Sequence, residues 1–518
     1  MTPPKSRWPA RALLCAALGV VMPAASAAPP APRNVLFIAL DDLNDWVGAF
    51  GGSAQARTPH LDAFARGGAV VFQRAQCPGP VCGPSRSALL SGFMPHRSGV
   101  YGNSQNMLRS ALVQTHATLP EYFSQHGYHA ASMGKIFHKH PADQGHWAFD
   151  RWENTSGGFP FDGEHQSSRV LNLVDGKPGP KLPPADAEAD GGDEAASLFA
   201  WGPTREAKEK TSDYRTAQWA AQQLAQPPQK PFFLAVGISK PHLPWYVPQE
   251  YFDRHPLSSI RIPEHRRDDL DDILDADGRK KFKPSADYRW VATSEELLKR
   301  AVQAYLAATS YADECVGMVF DALERSPARD NTIVVIFGDH GWHLTEKLRF
   351  RKATLWAEST RLPLLMRVPG MKGRQDCPRV VNLIDLYPTL IELCGLPAKP
   401  GIDGRSLAPL LRDPQTPWEH PSITINGRGN ACILDERWYF IRYRDGTEEF
   451  YDMQPDPLQW KNLIRSPDPV HRAQIQRLAQ LLPTTYAPDV PPNTGGREAK
   501  QAPPDPSIKA TRPLEKLK

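Results

Sequence analysis

Residues Asn34 to Leu40 (NVLFIAL) are apolar at nearly every position and stop abruptly at Asp41-Asp42. A run apolar on both faces fits a strand buried between two layers, although periodicity alone leaves a buried helix segment open. Phe232–Val236 and Thr332–Phe337 repeat the pattern. Between these runs, Asp213–Leu224 and Glu296–Leu323 space their apolar residues as helices do. Alternating strand and helix signals predict an α/β fold, a large mostly parallel sheet flanked by helices. In such sheets ligands bind beyond the carboxyl ends of the strands. The polar residues that end each run are therefore the first candidates for chemistry.

Further along, short β-type runs occur around Cys432–Leu434, Trp438–Tyr443 and Glu449–Tyr451, with Asp445-Gly446 as a hairpin turn. They predict a smaller C-terminal antiparallel α+β subdomain. Residues 176–196, rich in Gly, Pro, Asp and Glu, read as a solvated insertion. Pro483 to Lys518 contains eight prolines and few apolar residues, which predicts a flexible tail. The expected division is 1–27 leader, 34–395 catalytic α/β domain, 396–482 C-terminal subdomain and 483–518 tail.

Composition sharpens this picture at three points. Of 518 residues, 41% are apolar and 23% charged, an ordinary globular balance that excludes a membrane bundle or a wholly disordered chain. The net charge of +4 gives no argument for nucleic acid. The N-terminus combines Lys5, Arg7 and Arg11, an apolar run from Ala12 to Met22, and small residues at 24–28, the pattern of a secretory signal cleaved after Ala27 or Ala28. Its apolar run is too short to span a bilayer, so no membrane segment is expected once the signal is removed. Without its three basic residues the chain carries 58 basic and 57 acidic groups. Export, to a periplasm, the medium or a lysosome-like compartment in a eukaryote, predicts an oxidising environment in which cysteines tend to pair. Six cysteines remain there: Cys77, Cys82, Cys315, Cys377, Cys394 and Cys432.

The strand ends carry the unusual chemistry. Asp41-Asp42 closes the first run, and Gly338-Asp339-His340-Gly341 follows the third. Each alone is as readily a helix cap or a solvated turn. Together at one sheet edge they supply three carboxylates and an imidazole, a set that suits a hard divalent cation. A third element, Pro80-Val-Cys-Gly-Pro-Ser-Arg-Ser-Ala-Leu-Leu-Ser-Gly92, resembles the first signature of the type I sulfatases, formylglycine-dependent members of the alkaline-phosphatase superfamily. Cys82, Pro84, Ser85 and Arg86 match it, with Ser91 where threonine is usual. Gly127-Tyr128 through Gly134-Lys135 resembles the second signature, departing at Ala130 and Met133 but keeping Lys135. Gly134-Lys-Ile-Phe-His138, Lys240-Pro-His242 and Asp339-His-Gly-Trp342 followed by Lys352 are most similar to the iduronate-2-sulfatase branch.

The resemblance implies an alkaline-phosphatase-like fold and hydrolysis of a carbohydrate sulfate ester, a uronate 2-O-sulfate in the nearest branch. It implies one divalent cation, calcium in the family, held by Asp41, Asp42, Cys82, Asp339 and His340. It also implies that Cys82 is converted to formylglycine by a separate maturing enzyme, which leaves five cysteines and at least one free thiol. One hydroxyl of the hydrated aldehyde attacks sulfur, and loss of a proton from the other expels sulfate. Arg86, Lys135 and Lys352 neutralise sulfate oxygens, His242 protonates the departing alcohol and His138 handles the diol proton. His140, His343 and Lys240 lie beside these motifs without an assigned role. Two alternatives stand beside this reading: a phosphodiester or phosphonate monoester hydrolase of the same superfamily, and a glycan-binding relative without activity.

Overall fold

The structure is a computed structural model that describes Met1 and residues 33–138, 146–153, 173–175, 177–178, 199–204 and 207–491. The leader after Met1, His140, most of the 176–196 insertion and residues 492–518 lie outside the described residues. Eight described strands form the central sheet: β1 (Asn34–Leu40), β2 (Val70–Gln76), β3 (His129–Gly134), β4 (Arg151–Glu153), β5 (Phe232–Ile238), β6 (Thr332–Gly338), β7 (Leu364–Arg367) and β8 (Gln375–Asn382). Their spatial order is β8-β2-β7-β6-β1-β5-β3-β4. All run parallel except β7, which is antiparallel to both neighbours. The predicted mostly parallel sheet is thus present, with one reversed strand that the sequence pattern did not announce.

Register explains why the polar strand ends meet. Leu40 pairs with Gly338 of β6 and with Ile238 of β5, while Gly134 of β3 pairs with Gly237. Four neighbouring strands therefore terminate along one edge, and the loop leaving each strand starts from the same place. The alternation of side chains divides β1 cleanly. Leu36, Ile38 and Leu40 join one core with the helices Ser212–Ala225 and Glu295–Glu324, and Val35, Phe37 and Ala39 join the other with Leu89, Leu90 and Phe123. We label the helix Cys82–Ser91 α1, Ser212–Ala225 α2 and Glu295–Glu324 α3. The predicted helices match α2 and α3 to within a residue at each end. At the start of α3 the Ser294 hydroxyl accepts from Leu297 N at 3.0 Å, and Glu295 and Glu296 face the positive end of the helix.

The C-terminal sheet is an antiparallel meander of β9 (Ser422–Ile425), β10 (Ala431–Leu434), β11 (Trp438–Arg442) and β12 (Glu448–Asp452). Between β11 and β12, Gly446 takes φ +85°, the left-handed turn position expected of it. The meander leans on the central unit: Thr424 Oγ1 donates to Cys77 O at 2.5 Å, Ile425 N to Pro78 O at 3.0 Å, and Trp356 Nε1 to Glu449 at 2.9 Å.

Two expectations need correction. The six cysteines are all buried and none is paired among the described residues. Several of the sulfurs meet carbonyls or hydroxyls instead, as with Cys432 and Tyr439 Oη at 3.1 Å and Cys377 and Pro414 O at 3.6 Å. Second, the segment read as flexible from Pro483 is tied down as far as Val490. Val490 N donates to Gly99 O at 2.9 Å, Gln105 Nε2 to Val490 O at 2.8 Å, and Tyr101 Oη to Ala487 O at 2.8 Å. Val490 itself is buried, so one apolar side chain outweighs the proline-rich composition. No described helix is long and apolar enough to cross a membrane.

Candidate active site

Cys82 is the first residue of α1 and is fully buried. The residue before it, Val81, cannot cap the helix with a side chain, and Asn103 Oδ1 accepts from Gly83 N at 2.7 Å in its place. One helical turn on, Arg86 shares the face of Cys82. Its Nε donates to Asp339 Oδ2 at 2.7 Å, its Nη2 lies 3.5 Å from Asp41 Oδ1, and its Nη1 donates to the carbonyls of Lys135 and Ile136. One guanidinium thus fastens the ends of β1, β3 and β6 together.

Around the thiol the remaining groups close in. Lys352 Nζ donates to Cys82 Sγ at 3.2 Å and to Asp42 Oδ1 at 2.6 Å. His340 Nε2 lies 3.3 Å from Cys82 Sγ, 3.3 Å from Asp42 Oδ1 and 3.5 Å from Asp339 Oδ1. Lys135 Nζ donates to Asp41 Oδ2. It reaches there because Gly134 (φ +84°) and Gly237 press backbone to backbone, where a Cβ on Gly134 would sit 2.0 Å from Gly237 O. His242 Nε2 lies 3.9 Å from Asp42 Oδ2, and its Nδ1 meets Leu243 O. Lys240 turns its ammonium away from this cluster to the carbonyls of His242 and Pro244. His343 sits apart, bonded through Nε2 to Thr354 Oγ1 at 2.7 Å. His138 makes no hydrogen bond to the cluster among the described residues, and its buried Nδ1 has no partner there.

The electrostatics follow from burial and neighbours. Burial alone would raise the Asp41 carboxyl, but Lys135, His242, Arg86 and Lys352 together hold it well below the usual carboxylate range. Burial pushes the Cys82 thiol well up, with Asp41 adding to the effect, so as a plain thiol it would be a poor nucleophile. Burial, with Lys135 behind it, holds His138 well below the ordinary histidine range.

The donor set suits a cation. Asp41, Cys82, Asp339 and His340 place one ligand atom each within 4.8 Å of one another, and Asp42, Cys82 and His242 do the same. Asp42 Oδ2 is buried with no hydrogen-bond partner among the described residues, a cost that a bound cation would remove. Carboxylates and one imidazole are ligands a hard divalent ion accepts.

A family model described as Sulfatase matches residues 33–396, more than half of the chain. The chain belongs to the sulfatase family. It is a sulfuric ester hydrolase. A second model, N-sulphoglucosamine sulphohydrolase, C-terminal, matches residues 338–484. Among curated relatives, a sulfatase of Formosa agariphila is 36% identical over 464 residues, 88% of this chain and 87% of its own. Iduronate 2-sulfatase of Mus musculus is 30% identical over 416 residues, covering 71% and 69%. Among solved structures, the phosphonate monoester hydrolase of Silicibacter pomeroyi shares the fold, with TM-score 0.66 at 21% identity over 87% of this sulfatase and 94% of its own chain.

Ser85, matched in the Cys-Gly-Pro-Ser-Arg motif, donates from Oγ to Asp339 O at 2.5 Å. Another member of the site was not legible in the sequence. Asp213, at the start of α2, accepts from Ser239 N at 2.8 Å and Lys240 N at 2.9 Å, pinning the turn that carries His242. Only its position in the first turn of a helix could have drawn attention to it.

Proposed function

We propose that this sulfatase removes a sulfate ester from a carbohydrate, a uronate 2-O-sulfate, with Cys82 as formylglycine and one divalent cation, calcium. The observation that carries the reading is the convergence of Lys352 and His340 on Cys82 Sγ inside a ring of three carboxylates. The similarity to iduronate 2-sulfatase supports a uronate as the sugar. On this reading residues 34–395 form the catalytic domain and 396–482 the C-terminal subdomain. The mature chain is exported after loss of its leader, and a sulfatase-maturing enzyme modifies Cys82.

Asp41, Asp42, Asp339, His340 and the modified Cys82 would hold the cation, whose charge offsets that of the sulfate oxygens and of the nucleophile. The hydrated aldehyde supplies two hydroxyls on one carbon, one to attack sulfur and one whose proton is lost as sulfate leaves. The chain's own residues arrange the rest. Arg86 and Lys135 fix the Asp339 and Asp41 carboxylates while keeping positive charge at the sulfate end of the site. Lys352 bridges Asp42 and the nucleophile, so it follows charge as it moves from one to the other. Contact of His242 Nδ1 with a carbonyl places an N–H there and turns Nε2 toward the site, where in the protonated ring it gives a proton to the departing alcohol. His138, poised beside Lys135, takes the proton from the diol.

The test is sulfate release by enzyme co-expressed with a maturing enzyme. The panel is uronate 2-O-, 6-O- and N-sulfated saccharides, an aryl sulfate and a phosphonate monoester. The uronate 2-O-sulfate should be turned over fastest, and Cys82→Ala should abolish release while the fold persists. Faster turnover of the phosphonate would move the assignment to the superfamily's monoester hydrolases, and full activity of Cys82→Ala would end it.

A further inference from the structure

The loops that carry the site leave three different strands, and the described residues show what holds them in mutual register from behind. Asp42 takes φ +63°, a left-handed conformation that a non-glycine residue keeps only when its surroundings enforce it. Its peptide is held on both sides. Asp42 N donates to Asp339 Oδ1 at 3.2 Å, and Asp42 O accepts from the Tyr305 hydroxyl at 2.8 Å. The same phenol oxygen accepts from Asn44 N at 2.9 Å. Tyr305 lies on α3, some 260 residues from Asp42 in sequence, and is wholly buried.

The ring of Tyr305 reaches the other two loops. It meets Trp245, which closes the Lys-Pro-His turn, edge-on at 5.7 Å between centroids, and stacks on Trp342, two residues beyond His340, at 6.5 Å. Trp46 packs edge-on against it at 5.8 Å from the Asp41-Asp42 side. Asn44 Nδ2 donates to Trp342 O at 3.2 Å and so ties the first and third loops a second time. One side chain of an outer helix therefore contacts all three loops that supply Asp42, His242 and His340, while its hydroxyl bonds main chain rather than the reacting groups.

We propose that Tyr305 is a positioning residue: its hydroxyl locks the Asp42 main chain so that the Asp42 carboxylate meets the cation, and its ring aligns the His242 and His340 loops with it. The inference rests on the cation of the proposed function. Tyr305→Phe keeps the ring and removes only the hydroxyl. It frees Asp42 O and strands the buried Asn44 N, a loss that ordinarily costs about 1–3 kcal/mol, or about 5- to 150-fold in an equilibrium constant. Because the strained Asp42 conformation is what the bond protects, the loss should appear in cation affinity.

The experiment is isothermal titration calorimetry of calcium chloride into chelator-stripped, formylglycine-containing enzyme, alongside thermal melts in chelator. Tyr305→Phe should weaken calcium binding by about tenfold or more with a modest fall in Tm. Trp46→Phe, which trims the same cluster without touching the hydroxyl, should lower Tm and leave the calcium Kd unchanged. Asn44→Ala, which cuts the tie to Trp342 O, should weaken calcium binding in the same sense and serves if Tyr305→Phe does not fold. An unchanged Kd in whichever of Tyr305→Phe and Asn44→Ala folds, or an equal loss in Trp46→Phe, would overturn the proposal. If the wild-type enzyme neither binds calcium nor loses activity to chelator, it is the cation assignment that fails instead.

Discussion

Lys352 offers the most direct test of how charge is managed in this site. Asp41, Asp42 and Asp339 face Arg86, Lys135 and Lys352, so, leaving the histidines aside, three negative charges meet three positive ones. A divalent cation then leaves an excess of two positive charges for a sulfate ester that carries one negative charge. Lys352→Met keeps the length of the side chain and removes the ammonium, halving that excess. Lys352 is 2% exposed and donates to Asp42 at 2.6 Å and to Cys82 Sγ at 3.2 Å, so water does not replace its ammonium. Loss of one preorganised donor at developing charge lowers kcat by about 10²–10³, or about 2.7–4 kcal/mol. The assay is the initial rate of sulfate release on the best saccharide of the panel, with formylglycine content measured in both proteins. A drop carried mainly by kcat supports transition-state stabilisation, whereas a change confined to KM would mean uniform binding. A kcat within about threefold of wild type at equal formylglycine content would refute the charge argument.

Other consequences arise from the same geometry. Asp213→Ala releases Ser239 N and Lys240 N from their shared acceptor in this turn and should lower kcat by about tenfold through a misplaced His242, with Asp213→Asn intermediate; equal kcat in all three proteins would show that the turn holds itself. Burial, with Arg349 and Lys347 nearby, pushes His343 down to about 3, whereas the unfolded chain titrates near 6.5. Between these values the unfolded state binds a proton that the folded state refuses, so stability falls on acidification, by about 1.4 kcal/mol per pH unit for this group. His343→Gln should therefore lose stability less steeply than wild type as pH drops from 6.5 toward 4, and parallel denaturation curves would contradict that. Ending the chain at Leu482 removes the partners of Gly99, Tyr101 and Gln105 and should lower Tm by several degrees; an unchanged Tm would return the whole segment to the status of a tail.

How much of this was visible in the sequence depended on whether the signal was local. The runs at 34–40, 232–236 and 332–337 became β1, β5 and β6 because strands buried on both faces leave a continuous apolar trace. Asp41-Asp42 and Asp339-His340 were legible as polar residues ending buried runs, and Cys82, Lys135, His242 and Lys352 through the motifs that resemble those of the sulfatases. The reversed β7 was not, since LLMR reads the same whether its strand runs up or down the sheet. Tyr305 and Asp213 were invisible for a different reason. Their roles depend on contacts to residues far along the chain, and a tyrosine on an apolar helix face looks like any core residue. The cysteines misled because export predicts pairing, whereas the six are buried and unpaired among the described residues.

The central claim is that Cys82 no longer carries a thiol in the active enzyme. Mass spectrometry of the proteolytic peptide containing Cys82, from protein made in its native host or with a maturing enzyme, tests this most directly. The account predicts the mass of the aldehyde or its hydrate at position 82, in a fraction that tracks specific activity. An unmodified cysteine throughout a fully active preparation would contradict it.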